Sequence, residues 1–390
     1  MFQKIIAILG IIAFTLICYV MSNDKKNINF KSVALAFAAQ LGLAFILIKT
    51  PAWQIVVVLA DGASWLLNQA TVGIEFVFGG ISDDFVFFIN SLLPIVFISA
   101  LMGLMFHFNI LQKIISFVGK VLAKILNVDT LVVVNGLTNM FLGQTDSLFV
   151  TKSYLPKASD SVIFATLVGG MTSISVAVIG LYASYGASME WIIVSLPLTV
   201  FSTFMLTQIV MPTTYSNEEI EVENDKGANF METMMNYAMA GFKGVIGIAV
   251  ALMVFLSLVA LVNNLLIALN IPGLTLEGII GVVFYPLSYL MGVPVGEVAI
   301  VSEILATKLV LNEAVAFSLS QFAALSINTK AMVTVALCGF AGFGSIGILI
   351  GGYTAIAPKK VGTVAKLGVK ALIVATIVNL LTGAIVGLML

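Results

Sequence analysis

Apolar stretches of roughly twenty residues recur along this chain, at 4–21, 33–50, 92–110, 160–186, 190–211, 244–270, 330–356 and 369–390. An α-helix rises about 1.5 Å per residue, so about twenty apolar residues cross the ~30 Å hydrocarbon core of a bilayer. Charge is scarce as well. Only 9% of residues are charged and 60% are hydrophobic, against about a quarter charged in a soluble domain. Too few charges remain to cover a water-facing surface, so lipid is the solvent. The sequence therefore predicts an all-α polytopic membrane protein with eight transmembrane helices, multi-pass in the cell (inner) membrane.

Composition excludes several functions. The net charge is −1 and the basic residues are all lysine, which argues against a nucleic-acid partner and leaves no bidentate arginine clamp for phosphate. Cys18 and Cys338 fall in separate apolar runs and read as buried thiols. His107 is the sole histidine, so neither a zinc site nor a Ser-His pair can be assembled, and it reads as structural. Lys4 followed by the run Ile5–Val20 imitates a signal peptide. No small-x-small cleavage pattern follows, so the run is expected to be the first membrane helix.

Segment 51–70 opens on Pro51 and places Trp53, Asp61 and Trp65 among apolar residues. Its tryptophans predict a helix in the membrane interface. Segment 213–232 is the one long polar stretch and reads as a solvated loop with an acidic run. Two other segments, 129–157 and 296–326, are apolar but interrupted by GQTD at 143–146 and KLVLNE at 308–313. A half-segment of about ten residues rises only about 15 Å and cannot cross. Each pair of halves predicts a re-entrant hairpin with its tip near mid-membrane, where non-helical backbone survives only against protein or a cavity.

The hairpins belong to a repeat. Ser173-Ile174 and Ser345-Ile346 each follow the hairpin acid by about thirty residues. Paired broken helices in an internal repeat mark a transporter with its site at the repeat interface. With the N-terminus outside, lysines 25, 26, 31, 113, 120, 124, 152, 157, 226, 243, 359, 360, 366 and 370 fall inside, and only 4, 49, 308 and 330 do not. This asymmetry obeys the positive-inside rule and makes the two repeats inverted. The expected divisions are scaffold helices at 1–50, the interfacial helix and connection at 51–91, a third scaffold helix and lead-in at 92–128, transport repeat 1 at 129–211, a cytoplasmic polar loop at 212–243, a scaffold helix at 244–274 and transport repeat 2 at 275–390.

Asp146 and Glu313 stand at the two tips. A carboxylate at mid-membrane costs roughly 2.5–3.5 kcal/mol on insertion scales, which marks both as functional candidates. Gln144 and Thr145 add an amide and a hydroxyl suited to neutral polar solutes. Thr172, Ser173 and Ser175 predict an unwound stretch in the span after the first hairpin. Gly339, Gly342, Gly344 and Gly347 loosen the matching span, although glycine also serves close helix packing.

GQTD at 143–146, LMGVP at 290–294, KLVLNEAVAF at 308–317 and CGFAGFGSIGI at 338–348 resemble, in order and spacing, the signature segments of the concentrative nucleoside transporter family. The resemblance covers essentially the whole chain. It implies a homotrimer in which a mobile transport domain moves like an elevator against a scaffold. It also implies that Gln144, Thr145 and Asp146 face the nucleobase with Val178 lining its pocket, and that Glu313 and Ser345 bind ribose hydroxyls with Phe340 beside them. For the coupling ion it implies sodium on the side chains of Asn139 and Ser173 and the carbonyls of Leu142 and Ile174. Three positions depart from the family pattern: Asp146 stands for glutamate, Gly342 for asparagine and Ala314 for phenylalanine. The expected function is import of a nucleoside, or a nucleoside-like solute such as a modified nucleoside, by sodium symport. Proton coupling through the two acids is the alternative. A channel has no selectivity filter to support it, and an intramembrane enzyme lacks a nucleophile–base pair; no cofactor beyond the ion is expected.

Overall fold

The computed structural model describes residues 2–79, 86–216, 220, 222, 226–268 and 275–390. Most of the acidic run, residues 80–85 within the division 51–91 and the end of the division 244–274 lie outside the described residues.

Among the described residues, eight helices are long and apolar enough to cross a membrane. The N-terminal pair is α1 (Phe2–Val20) and α2 (Phe30–Lys49), the latter started by Asn29, whose side chain accepts from Ser32 N at 3.1 Å. Next comes α3 (Trp53–Phe78), eight residues beyond the 51–70 expected for an interfacial helix. By length and hydropathy α3 is one of the eight, and two of its contacts fall close together in the chain. Trp53 packs on Trp191 with ring centroids 5.0 Å apart, while Leu67 packs on Gly180. Those two residues of α3 lie about 21 Å apart along the helix. Their partners flank a single turn, at 185–188.

A π-turn (Phe88–Leu92) leads into α4 (Pro94–His107), and α5 (Ile110–Leu126) follows with a buried seam of Leu111, Ile115, Gly119 and Ala123 at four-residue steps. The first hairpin is α6 (Thr130–Leu142) and the short α7 (Asp146–Val150). Asn135 Nδ2 reaches Ser147 O (3.3 Å) and Thr151 Oγ1 (3.4 Å), and Ser147 Oγ donates to Asn139 Oδ1 (2.7 Å), so the chain folds back on itself around Gly143. Gly143 holds φ +89°, a conformation that a side chain disfavours. After it α8 (Asp160–Thr172) stops at three extended residues, 173–175, before a 3₁₀ turn and α9 (Ile179–Ser184). The span at 160–186 is thus broken where its Thr-Ser-Ile-Ser run stands. The continuous α10 (Met189–Val210) closes the repeat.

The following helix differs from expectation. Residues 230–243 are not loop: α11 (Phe230–Ile267) begins at Phe230 and runs 38 residues. Its start is a capping box. Asn229 Oδ1 accepts from Glu232 N (2.9 Å) and Glu232 Oε2 accepts from Ala228 N (2.6 Å). His107 Nδ1 lies 2.9 Å from Thr233 Oγ1, tying α4 to this start, in keeping with a structural histidine.

After α12 (Leu276–Leu290) comes the second hairpin, α13 (Val295–Val310) and α14 (Glu313–Ser318), extended by α15 (Ser320–Ala324). Its base is closed by Glu297, whose carboxylate accepts from Ser326 N (2.7 Å), Ser326 Oγ (2.9 Å) and Thr329 Oγ1. The stretch 330–356 is not one helix: α16 (Ile327–Leu337) and α17 (Phe343–Ile356) are separated by 338–342. Finally α18 (Val361–Met389) runs through the core. Cys18 and Cys338 are buried free thiols.

Contacts sort the chain ends into two sides. On one side Asn23 N donates to Val210 O (3.0 Å), Lys370 Nζ to Met21 O (2.6 Å), Lys360 Nζ to Ala158 O (2.6 Å) and Thr130 Oγ1 to Ser216 O (2.6 Å). The base of the first hairpin is there. On the other side the start of α1 packs on Gly292, and Met332 packs on Gly387 at the end of α18, beside the Glu297–Ser326 closure. The hairpins therefore enter the bundle from opposite ends. Lys308, one of the four lysines outside the inside tally, is buried near the second tip.

Candidate functional site

The two hairpin tips meet at one cavity. Its larger lobe, about 510 Å³, is walled by Gln144 and Thr145 from the first tip, Asn312 and Glu313 from the second, and Phe340 and Ser345 from the second break. A smaller lobe of about 260 Å³ shares Gln144, Thr145, Val178 and Phe340, and adds Leu142 and Asp146. The sizes suit a small organic solute.

Each wall has a local cause. Gln144 stands in the turn that follows Gly143, and its Oε1 is buried without a hydrogen-bond partner. A buried acceptor left unpaired costs about 1–3 kcal/mol. Asn312 Oδ1 accepts from Val315 N (3.0 Å), which starts α14 and sets Glu313 in its first turn. The Glu313 carboxylate accepts from Tyr182 Oη at 2.9 Å, and the Tyr182 ring stacks on Phe317 at 4.9 Å. One carboxylate oxygen is thereby fixed, leaving acceptor capacity for hydroxyls. Ser345 Oγ donates to the backbone carbonyl of Phe340, a residue that lines both lobes.

The repeats exchange walls. Tyr182 of α9, beyond the first break, holds the second tip. Thr145 and Leu148 of the first hairpin pack on Gly352 of α17, beyond the second break. Tyr353 of α17 reaches back to Thr166 Oγ1 of α8 at 2.6 Å.

Of the residues expected at the site, Gln144, Thr145, Val178, Glu313, Phe340 and Ser345 line the larger lobe. Asp146 lines the smaller lobe, so the two tip acids stand on different lobes. Asn139, Ser173 and Ile174 are buried behind the tip. Asn139 Nδ2 lies near Gly169, and Ser173 Oγ donates to Gly169 O (2.8 Å), which brings both side chains to the last turn of α8. Leu142 ends α6, and Ser173 is extended (φ −104°, ψ 163°), which frees backbone carbonyls from helical bonding. Carbonyl, amide and hydroxyl oxygens are the donor set that suits a hard monovalent cation rather than a soft metal. Among the described residues there is no His/Cys/Asp/Glu cluster for a metal.

Sequence reasoning missed three side chains. Tyr182 sits in an apolar run where nothing separates it from a packing tyrosine. Lys308 and Asn379 meet in the core, with Lys308 Nζ donating to Asn379 Oδ1 (3.1 Å) and to Ala336 O (2.7 Å). The charge inside an apolar segment was the available signal for Lys308.

Two helix-and-hairpin units, inserted in opposite directions and closing on one polar-tipped cavity inside a bundle of long apolar helices, define a multi-pass membrane transport protein. The chain matches the family models described as Na+ dependent nucleoside transporter N-terminus (residues 9–81), nucleoside recognition gate (88–189) and Na+ dependent nucleoside transporter C-terminus (191–387). It is 34% identical to an uncharacterized transporter of Haemophilus influenzae over 98% of this chain and 97% of that one. It is 30% identical to the nucleoside permease NupC of Helicobacter pylori, covering 99% and 98%. The structure of CNTnw in an inward-facing substrate-bound state superposes with a TM-score of 0.93 at 30% identity, covering 99% and 98% of the two chains. The chain belongs to the Na+-dependent concentrative nucleoside transporter family, whose members are carriers and not enzymes.

Proposed function

We propose that this protein imports nucleosides across the cell inner membrane by symport with sodium. The carrying observation is the pairing of an unpartnered Gln144 amide oxygen on one tip with the Glu313 carboxylate on the other, across one lobe of nucleoside-admitting size. A nucleoside offers N–H donors at its base and hydroxyls at its sugar. In this reading Gln144, Thr145 and Asp146 address the base, with Val178 lining its pocket, while Glu313 and Ser345 accept and order the sugar hydroxyls, with Phe340 packing beside them.

Sodium takes the Asn139 and Ser173 side chains with the carbonyls of Leu142 and Ile174. Its seat lies directly behind the first tip, so the ion fixes the turn that carries Gln144. That is the physical link between ion and solute. The hairpins are re-entrant from opposite membrane faces and move with the broken helices as one elevator-type unit. The protein assembles as a homotrimer, for which the largely exposed apolar length of α11 offers surface to a neighbour or to lipid. Gly342 and Ala314 both border the larger lobe, and their small size favours a second reading in which the native solute is a nucleoside with a bulkier sugar or base.

Uptake of labelled uridine and adenosine into proteoliposomes tests this. Import should be driven by an inward sodium gradient, and Asn139→Ala should weaken the sodium dependence strongly. Uptake indifferent to sodium but abolished by collapsing a proton gradient would transfer coupling to Asp146 and Glu313.

A further inference from the structure

Lys308 lines neither lobe, yet it is buried in the core. Burying an ammonium is costly unless its protons are satisfied. Two are met by Ala336 O (2.7 Å) and Asn379 Oδ1 (3.1 Å). Ala336 is the penultimate residue of α16, so its carbonyl belongs to the last turn, where helical partners run out and partial negative charge collects. Asn379 turns its amide the other way: Nδ2 donates to Thr172 O at 3.0 Å. Thr172 is the last residue of α8. The carbonyl ends of both broken helices thus converge on Asn379. Gly339 packs between them, with no room for a Cβ against Thr172 O and the Asn379 amide.

The two repeats can be compared at this level. In each, the last turn of the hairpin's first arm abuts the last turn of the first half of the broken helix. In repeat 1 the arm presents Asn139 to α8 beside Gly169, with Ser173 just beyond. In repeat 2 the arm presents Lys308 to α16 at Ala336. Neutral oxygens stand at the first place and an ammonium at the second.

We propose that the Lys308 ammonium is the resident cation of repeat 2, a charge attached through its own side chain that neutralises the carbonyl end of α16 and, relayed by Asn379, that of α8. Repeat 1 takes its cation from solution at the matching place; this comparison, though not the role of Lys308, rests on the sodium reading above. Lys308 is a positioning residue. It touches no solute, and it fixes the second tip, and with it Glu313, against both breaks.

The test measures thermal stability of the purified full-length protein in detergent, with no nucleoside present, so its outcome is independent of the substrate assignment. Lys308→Ala should lower the Tm by several degrees, and methylammonium chloride should restore part of the loss saturably while choline chloride does not. Wild type should not respond to methylammonium. Lys308→Met, similar in length but uncharged, should be destabilised and not rescued. A Lys308→Met protein as stable as wild type, or Lys308→Ala indifferent to methylammonium, overturns the proposal. Should Lys308→Ala yield no folded protein, Asn379→Asp decides by the monodisperse yield. The new carboxylate keeps its bond from Lys308 but loses the one to Thr172 O, so its yield should fall below wild type and fall much further when combined with Lys308→Met. Equal yields of Asn379→Asp in both backgrounds also overturn it.

Discussion

The Tyr182 hydroxyl donates to Glu313 at 2.9 Å, although 131 residues separate them, and so a side chain of the first repeat orients the acid at the tip of the second. A hydrogen bond to a charged group contributes about 1.5–3 kcal/mol. Glu313→Gln should therefore weaken nucleoside binding about ten- to a hundredfold on that scale. Tyr182→Phe should weaken it less, because the carboxylate persists but loses its orientation. Calorimetric titration with a nucleoside and with its free base separates the effects, since the base lacks the sugar and should be indifferent to both. Undiminished nucleoside binding by Glu313→Gln would make Glu313 a structural cap of α14.

Gly342 controls how the second tip sits against its break. A Cβ there would stand 3.1 Å from Lys308 O, 3.5 Å from Leu309 O and 3.7 Å from Leu311 O. Gly342→Ala inserts carbon against these carbonyls and should reduce nucleoside affinity. Gly342→Asn adds an amide that can donate to one of them, so it should bind ordinary nucleosides better than Gly342→Ala, and better than wild type if the native solute is bulkier. Equal affinities of the Ala and Asn variants would show that the amide contributes nothing.

Gly339 has a stricter requirement. Its missing Cβ would overlap Thr172 O and lie 2.7 Å from the Asn379 amide atoms. Overpacking of this kind typically costs about 1–3 kcal/mol, and here the obstacle is backbone. Gly339→Ala should lower the Tm clearly, whereas Gly347→Ala, where nothing stands within 4 Å, should not.

Glu297 at the mouth of the second hairpin gives a pH signature. Burial alone would push its carboxyl up, but the bonds from Thr329 and from Ser326 N and Oγ together hold it below the usual glutamate range. A depressed folded value means that the stabilisation is complete above the unfolded value and is lost as pH falls through the folded one. Glu297→Gln should lower the Tm at pH 7, and the difference from wild type should shrink as the pH drops below the ordinary glutamate value of about 4.3. A difference that stays constant with pH would assign the loss to packing.

The span-length apolar runs and the two interrupted segments made most of the helix order legible. They report directly on lipid and on helix length. What stayed hidden obeyed other physics. The start of α11 at Phe230 depends on the capping box of Asn229 and Glu232, a short-range signal masked by the polar stretch around it. The extension of α3 to Phe78 makes it a helix long and apolar enough to cross, where the sequence predicted a shorter interfacial one. At the site, the tip residues Gln144 and Glu313 stood out as polar groups in apolar surroundings. Tyr182 and Asn379 did not, because their roles arise from pairings with Glu313 and Lys308 that span more than a hundred and about seventy residues respectively. Asp146 was grouped with Glu313 from its matching place in the repeat. The side-chain direction that puts it on the smaller lobe is invisible to spacing.

The exchange of walls between repeats has a bearing on biogenesis. The chain leaves the ribosome from its N-terminus, so the first tip is synthesised about two hundred residues before Gly352, the surface that Thr145 and Leu148 pack against. Until α17 is inserted, the first turn stands without its neighbour and the unpaired Gln144 acceptor is open to whatever is nearby. The second tip finds Tyr182 already in place when Glu313 arrives, and waits only for the shorter stretch that brings Ala336, Gly342 and Asn379. Assembly is therefore asymmetric in time although the product is nearly symmetric in space. A nascent chain stalled before residue 343 would carry both tip acids but lack Ser345 and the Gly352 surface, and quality-control proteases that survey the membrane would meet it with its first hairpin still unsupported.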